Sequence, residues 1–264
     1  MVETARNTGL EKAKGKYVMF VDGDDYIEDN SLGFLTDFVS QNDLDIGLFS
    51  LRLEGEENQK KKEVNAENIV SGIELYRHYR AKSVDSSCVM LIKLVLLKDH
   101  NIKYMVGIPF LEDGEFIARV MCVAERCSFF DYPYYIRIKR PGSATTTNLF
   151  HSKKAIDGFI KAAISLKQFK EDHPLSKEQK NFLNQPIVKF AVTAVSACQN
   201  RSTFKYLPYV RKRLFEDGLR KLDLKGCNKN HKPFGSAFNI SPYYYFVWRL
   251  LSHPYISIKS KFGF

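Results

Sequence analysis

Features of several common protein classes are missing from this sequence. Only five of its 264 residues are cysteine, an odd number with no CxxC pair. Neither a disulfide framework nor a zinc site is therefore indicated, and a reducing cytoplasm is the default compartment. The chain does not open with a basic segment followed by an apolar run, as a secretory signal would. No apolar run reaches the length of a membrane span. Zinc-finger, RNP-like and basic-zipper patterns are also lacking, and arginine does not cluster with glycine, which makes nucleic acid an unlikely partner.

What is present describes a globular chain. Apolar residues make up 44% and charged residues 27%, fractions that fit one large domain or two modest ones with a real core. Charge is unevenly spread. Residues 1–150 carry 19 Lys/Arg against 23 Asp/Glu, net −4, whereas residues 151–264 carry 21 against 7, net +14. A basic half of this strength points to an anionic surface or polymer as its neighbour.

The richest stretch is Lys16-Tyr17-Val18-Met19-Phe20-Val21-Asp22-Gly23-Asp24-Asp25. Its apolar run, Tyr17 to Val21, does not alternate with polar residues, so it reads as a strand buried on both faces. It stops at three carboxylates, and ligands of open α/β sheets collect beyond the carboxyl ends of strands. Asp22 and Asp24 flank Gly23, so two carboxylates can converge on one hard cation, with a diphosphate as its natural client. An EF-hand loop counted from Asp22 fails, because Tyr26, Ile27 and Gly33 stand where oxygen ligands, glycine and glutamate are needed. A helix N-cap at Asp29, Asn30 or Ser31, starting a helix over Leu32–Ser40, is also expected, but it leaves the carboxylates at the strand end unexplained.

Upstream, Thr4 to Gly15 reads as a short helix closed by Gly15. The whole phrase, from Ala5-Arg6-Asn7 through Gly15-Lys16-Tyr17 to Asp22-Gly23-Asp24-Asp25, resembles the family 2 glycosyltransferases of the GT-A fold. Their pattern has the form (S/A)RNxGLxxAxGxYIxFxDxDD. The resemblance implies an α/β fold, with an incomplete GT-A (Rossmann-like) mixed sheet flanked by helices, and a nucleotide-diphospho-sugar donor. It implies donor-binding roles for Arg6, Asn7, Asp22, Gly23 and Asp24, and Mn2+ or Mg2+ held by Asp24 with Asp22 assisting. Asp25 is a weaker candidate ligand.

Two later segments extend the likeness. Glu112-Asp113, ahead of a helix over Phe116–Ala124, matches the family's ED motif and follows the acidic loop at the family's usual distance. An inverting transferase deprotonates the acceptor hydroxyl as it attacks the anomeric carbon. By resemblance Asp113 is that base and Glu112 helps to place acceptor or base. From the residues alone, carboxylates in a helix's first turn equally well stabilise its N-terminus. Tyr132–Thr145 resembles the family's YxYRxRxxS(I/A)(S/T) segment. Tyr135, Arg137 and Lys139 alternate with Ile136 and Ile138, as on an edge or half-buried strand. Arg137 and Arg140 are candidates to hold the departing diphosphate, or are simply exposed on the polar face. Between the two motifs, Ser86–Tyr104 resembles the family's usual segment more loosely and reads as a helix, with His100 near its C-terminal end.

Elsewhere a strand is expected over Asp45–Leu51, a solvated loop with the Lys60-Lys61-Lys62 run over Glu54–Glu67, and a helix over Ile69–Ala81 with Ile73, Tyr76 and Tyr79 on its apolar side. Beyond Thr147 the text turns helical and basic. Helices read over His151–Lys170 and Lys180–Gln199, the second with Ile187, Val188, Phe190, Ala191, Ala194 and Val195 on one surface. Phe204–Leu222 and Ser241–Phe264 mix aromatics with Lys and Arg, which suits a peripheral position on an anionic membrane. They equally suit a subdomain whose Trp248 and tyrosines pack on the first half.

Residues 1–147 are thus read as a partial GT-A domain and 148–264 as a basic helical region. The likeness spans about residues 4–147 and lacks the family's opening strands, with their PxYN-type and DDGS phrases, so an N-terminally truncated enzyme is expected, with activity lost where those strands are needed. The expected function is inverting sugar transfer to a glycan or lipid-linked acceptor in surface-polysaccharide synthesis, in the cytoplasm or at the inner face of the membrane. The alternative is a non-catalytic polysaccharide- or anionic-membrane-binding module derived from such an enzyme.

Overall fold

Two long apolar strands organise the first half of the molecule. β3 (Ile46–Leu53) and β5 (Cys127–Arg137) pair in parallel, and their side chains supply Ile46, Leu48, Phe49, Phe130 and Tyr135 to a fully buried core. The structure is a computed structural model that describes residues 2–56, 69–79, 86–108, 111–138 and 150–262. It falls into two compact units, residues 1–106 with 111–147, and residues 107–110 with 148–264.

In the first unit β4 (Met90–Lys93) joins β3 antiparallel, β1 (Tyr17–Val18) joins β4 antiparallel, and β2 (Tyr26–Ile27) joins β5 antiparallel. The order is β1-β4-β3-β5-β2, a mixed sheet as expected. Around it lie α1 (Val2–Lys12), α2 (Ser31–Gln41), α3 (Gly72–Tyr79), α4 (Leu94–Asp99) and α5 (Glu112–Val123). At Gly47 a Cβ would stand 2.7 Å from Val39 Cγ1 and 3.0 Å from Phe130, so the absent side chain lets α2 approach the sheet.

Several expectations need correction. The run Tyr17–Val21 is not a strand buried on both faces: only Tyr17 and Val18 pair, residues 17–20 are half-buried, and Val21 is exposed. The reason is its place at the end of the sheet, hydrogen-bonded on the β4 side. β5 is no edge. It lies between β3 and β2, and its run Tyr134-Tyr135-Ile136 is buried without alternation. Pro133 is accommodated there because the β3–β5 register shifts between Phe49 and Ser50, a bulge that releases the backbone from regular pairing. Helix α1 ends at Lys12 rather than at Gly15, which has no left-handed backbone. Asn30 precedes α2 in a left-handed conformation without a side-chain cap, and Ser31 Oγ instead bonds the Glu28 carbonyl. Ser86–Tyr104 is not one helix: a 3-10 turn (Ser87–Val89) leads into β4 and then α4. His100 does sit at the C-terminal cap of α4. Lys60-Lys61-Lys62 and the Tyr79 side chain lie outside the described residues.

The second unit is helical, with α6 (Lys153–Asp172), α7 (Lys177–Ser196), α8 (Leu207–Glu216), α9 (Lys232–Ile240) and α10 (Pro242–Phe262). The start signals are local. Ser152 Oγ accepts from the Ala155 N–H, and Ser176 with Gln179 closes a reciprocal capping box. The surface expected on the second helix is buried, Ile187 to Val195 included. Tyr245 and Trp248 find partners within this unit, on Ser196 (2.9 Å) and on the Phe234 ring (5.7 Å).

Candidate functional site

Arg6, on the second turn of α1, is the centre of the site. Its guanidinium donates to Asp22 Oδ1 at 3.0 Å and to Asp113 Oδ1 at 2.9 Å, and it pairs with Glu112 Oε1 at 3.6 Å. The acidic loop and the acid pair therefore meet through one cation, although 107 positions separate Arg6 from Asp113. Rings hold Arg6 in place: its guanidinium carbon lies 5.0 Å from the Tyr104 centroid and 5.9 Å from that of Phe20. Tyr104 in turn stacks flat on Phe116, at 4.1 Å and 6°. Burial works to lower the Arg6 pKa, but Tyr104, Asp113 and Asp22 outweigh it and keep the group charged.

Asp113 receives three donors on one oxygen. Ser87 Oγ donates to Oδ1 at 2.7 Å and Arg6 does so at 2.9 Å, while the single Tyr104 hydroxyl proton is shared between Ser87 Oγ at 2.5 Å and Asp113 Oδ1 at 3.2 Å. None of these bonds falls on Oδ2. Burial and the neighbouring Asp113 charge raise Glu112 above its ordinary 4.5. Burial first, and then Asp113, holds the Tyr104 hydroxyl in its protonated form. Glu112 and Asp113 do lie in the first turn of α5, but their ties to Arg6 go beyond a helix-end role.

Asp22 to Asp25 form a tight turn, closed by Asp25 N–H on the Asp22 carbonyl at 3.0 Å, with Gly23 and Asp24 at its tip. A Cβ on Gly23 would meet nothing within 4 Å, so the tip is open. Both flanks are anchored on β5: the Asp22 N–H donates to Tyr135 Oη at 3.1 Å, which donates to Asp25 Oδ2 at 2.8 Å. Asp25 Oδ1 accepts the Ile138 N–H at 2.9 Å. Both Asp25 oxygens are thus engaged in holding the turn. Asp24 is half-buried at the tip.

Asn7 is engaged elsewhere, bonding both backbone groups of Tyr104 at 2.8 Å, so it positions the ring beside Arg6. Arg137 ends β5 and takes part in none of the described ion pairs, and Arg140 lies outside the described residues. Ser87, Tyr104, Phe116 and Tyr135 were not anticipated, because hydroxyls and rings in apolar text read as core. Cys88, beside Tyr135, is pushed up to about 11 by burial and by Asp22, so it offers no thiolate at neutral pH.

Among the described residues, no group of three or more His, Cys, Asp or Glu side chains is placed to hold a metal ion. The donor set does fit an ion that takes one or two carboxylates and completes its shell with diphosphate oxygens and water: Asp22 and Asp24 flank Gly23, around which there is space, and Asp22 has Oδ2 outside its bond to Arg6.

Residues 2–96 match the model of glycosyl transferase family 2, a stretch that includes the acidic loop and Arg6. The poly(ribitol-phosphate) beta-glucosyltransferase of Bacillus spizizenii is 31% identical over 144 residues, 52% of this chain and 21% of that protein. The uncharacterized glycosyltransferase EpsJ of Bacillus subtilis is 28% identical over 54% of this chain and 44% of its own length. The poly(ribitol-phosphate) beta-N-acetylglucosaminyltransferase TarS of Staphylococcus aureus is 27% identical over 52% and 23%. The chain thus spans less than half the length of these relatives. In fold it is similar to the crystal structure of S. aureus TarS 1-349 in complex with UDP-GlcNAc, with TM-score 0.59 and 18% identity over 94% of this chain and 71% of that one.

Proposed function

We propose that this chain transfers a sugar, with inversion, from a nucleotide-diphospho-sugar to a hydroxyl of a surface polymer. The observation that carries the reading is Arg6 joining Asp22 of the acidic loop to Asp113 of the acid pair. The acceptor hydroxyl gives its proton to Asp113 Oδ2 as its oxygen attacks the anomeric carbon. The carbon–oxygen bond to the diphosphate breaks, and its electron pair leaves with the β-phosphate. Products are the inverted glycoside, the nucleoside diphosphate and a protonated Asp113. The donors gathered on Oδ1 hold the carboxylate and leave Oδ2 outside their bonds, which supports Oδ2 as the atom that would take the proton. Glu112, raised by burial and by Asp113, sits beside that base and within 3.6 Å of Arg6.

Arg6, already charged and ringed by aromatics, is placed to exchange a carboxylate for a diphosphate oxygen. Asp24, with Asp22, would hold Mn2+ or Mg2+. When bound, such an ion supplies charge neutralisation for the leaving diphosphate. Two relatives act by name on poly(ribitol-phosphate), a phosphodiester chain. The net +14 of residues 151–264 supports a polyanionic acceptor of that class here.

The test is calorimetry with UDP-glucose or UDP-GlcNAc in the presence of Mn2+, followed by transfer to poly(ribitol phosphate), with the anomeric configuration of the product read by NMR. Asp113→Asn should bind donor as the native chain does and lose about 10²–10⁴-fold in kcat. Undiminished transfer by that variant, or absence of donor binding by the native chain, sinks the reading.

A further inference from the structure

Helix α10 carries apolar residues on its inner side and along a second, outward-facing stripe. Tyr245 and Phe246 are buried, at 2% and 6% exposure, while Tyr243, Tyr244, Val247, Leu250 and Leu251 stand 42% to 77% exposed. At 100° per residue these five side chains fall within an arc of about 120°, a continuous stripe rather than scattered apolar residues. Phe204, also exposed, extends the patch, its ring 5.5 Å from that of Phe246. A helix with apolar residues on both sides calls for a second apolar phase.

Charge decides which phase. From Leu224 to Phe264 the sequence has six Lys/Arg and no Asp or Glu, although Arg249 itself lies on the Tyr245 side of α10. Exposed Arg201 and Lys205 flank Phe204. A second copy laid stripe to stripe would bring two such carboxylate-free segments together, with no acidic partner for either. A soluble polyanion would satisfy the cations but leave the stripe in water. An anionic lipid surface satisfies both: leucine and valine enter the acyl boundary, tyrosines sit at headgroup depth, and lysine and arginine meet lipid phosphate. No helix among the described residues is long and apolar enough to cross a membrane, so α10 would lie in the interface.

We infer that α10, with Phe204, docks the second unit onto the surface of an anionic bilayer, independently of whether the first unit transfers sugar. The experiment is co-sedimentation of the full chain with vesicles of equal parts phosphatidylglycerol and phosphatidylcholine, and with pure phosphatidylcholine. Partition should be at least tenfold stronger into the anionic vesicles and weaken as salt rises. Val247→Glu with Leu251→Glu should lower partition by at least tenfold while helical circular dichroism and the melting temperature are retained. These positions are exposed, so folding should survive; Val247→Ser with Leu251→Ser repeats the test should it not. Equal partition into both vesicle types, or partition unchanged in the variants, overturns the inference. So does a dimer in sedimentation equilibrium that the same substitutions dissociate without any vesicle binding. Retention on polyphosphate that survives them, with no vesicle binding, assigns the charge to a polyanion instead.

Discussion

Arg6 has three carboxylates within 4 Å, and the residues around it differ in what their loss would do. Tyr104 contributes a ring and a hydroxyl that separate experimentally. Tyr104→Phe keeps the stack on Phe116 and the face under Arg6, and removes the donor to Ser87 and Asp113. A stability loss of about 1 kcal/mol is expected, together with a lower kcat at unchanged donor affinity. Tyr104→Ala also removes the ring and should cost about 3–5 kcal/mol in a denaturant melt. Glu112 makes a prediction about pH. Its folded pKa is raised by burial and by Asp113, so the folded chain holds this proton more tightly than the unfolded one. Its stabilising contribution is complete below the ordinary 4.5 and is lost as pH rises through the higher folded value. Glu112→Gln should therefore lose less stability than the native chain between acid and neutral pH; an identical slope in thermal melts would refute the assignment. The charged members of the site were legible in the sequence, because Arg6, Asp22 and the Glu112-Asp113 pair sit in a recognisable phrase. Ser87 and Tyr104 were not, since nothing in their local text sets them apart from core residues until the fold brings them to Asp113.

α5 is the element that carries the acid pair, and its position depends on a second, deeper ion pair. Glu115, fully buried, accepts from Arg119 at 2.8 and 2.5 Å, and Arg119 also donates to the Lys103 carbonyl at 2.8 Å, one residue before Tyr104. This pair fixes α5 against the segment that supplies the Tyr104 ring. Arg119→Ala removes the cation paired with a buried carboxylate and should cost about 3–5 kcal/mol, whereas replacing both partners with apolar residues of similar volume should recover most of it. A double variant no more stable than Arg119→Ala, in urea unfolding, would show that the pair is not the cause. The helices α6 and α7 were legible in the text, because their Ser caps and 3.6-residue spacing are local signals, whereas Ser86–Tyr104 is broken by β4. Sheet position was not. Tyr17–Val21 reads as a strand buried on both faces but only Tyr17 and Val18 pair, at the edge, and β5 reads as an edge or half-buried strand but is interior. Apolar content reports burial, but the neighbour that supplies it is set by pairing with distant residues such as Lys93 and Ile136.

At the scale of the whole molecule, the charge asymmetry visible in the sequence separates two requirements. On the proposed reading, the half with net −4 contains the site and would take a diphosphate with a local cation, Arg6, and an ion held by Asp24 and Asp22. The half with net +14 acts at longer range. The two respond differently to ionic strength. A charge field acting through solvent is screened as the Debye length shortens, from about 30 Å at 0.01 M to about 8 Å at 0.15 M salt, whereas a contact pair as buried as Arg6 with Asp113 is screened much less. If the acceptor is a polyanion gathered by the second half, its KM should rise severalfold over that salt range, with the KM for the nucleotide-sugar changing little. A short neutral glycan acceptor gives the control, because it feels no such field. Steady-state kinetics with both acceptors at several salt concentrations separates the cases. Parallel salt dependence for charged and neutral acceptors would remove the polyanion from the proposal and leave the sugar transfer itself to be judged on Asp113.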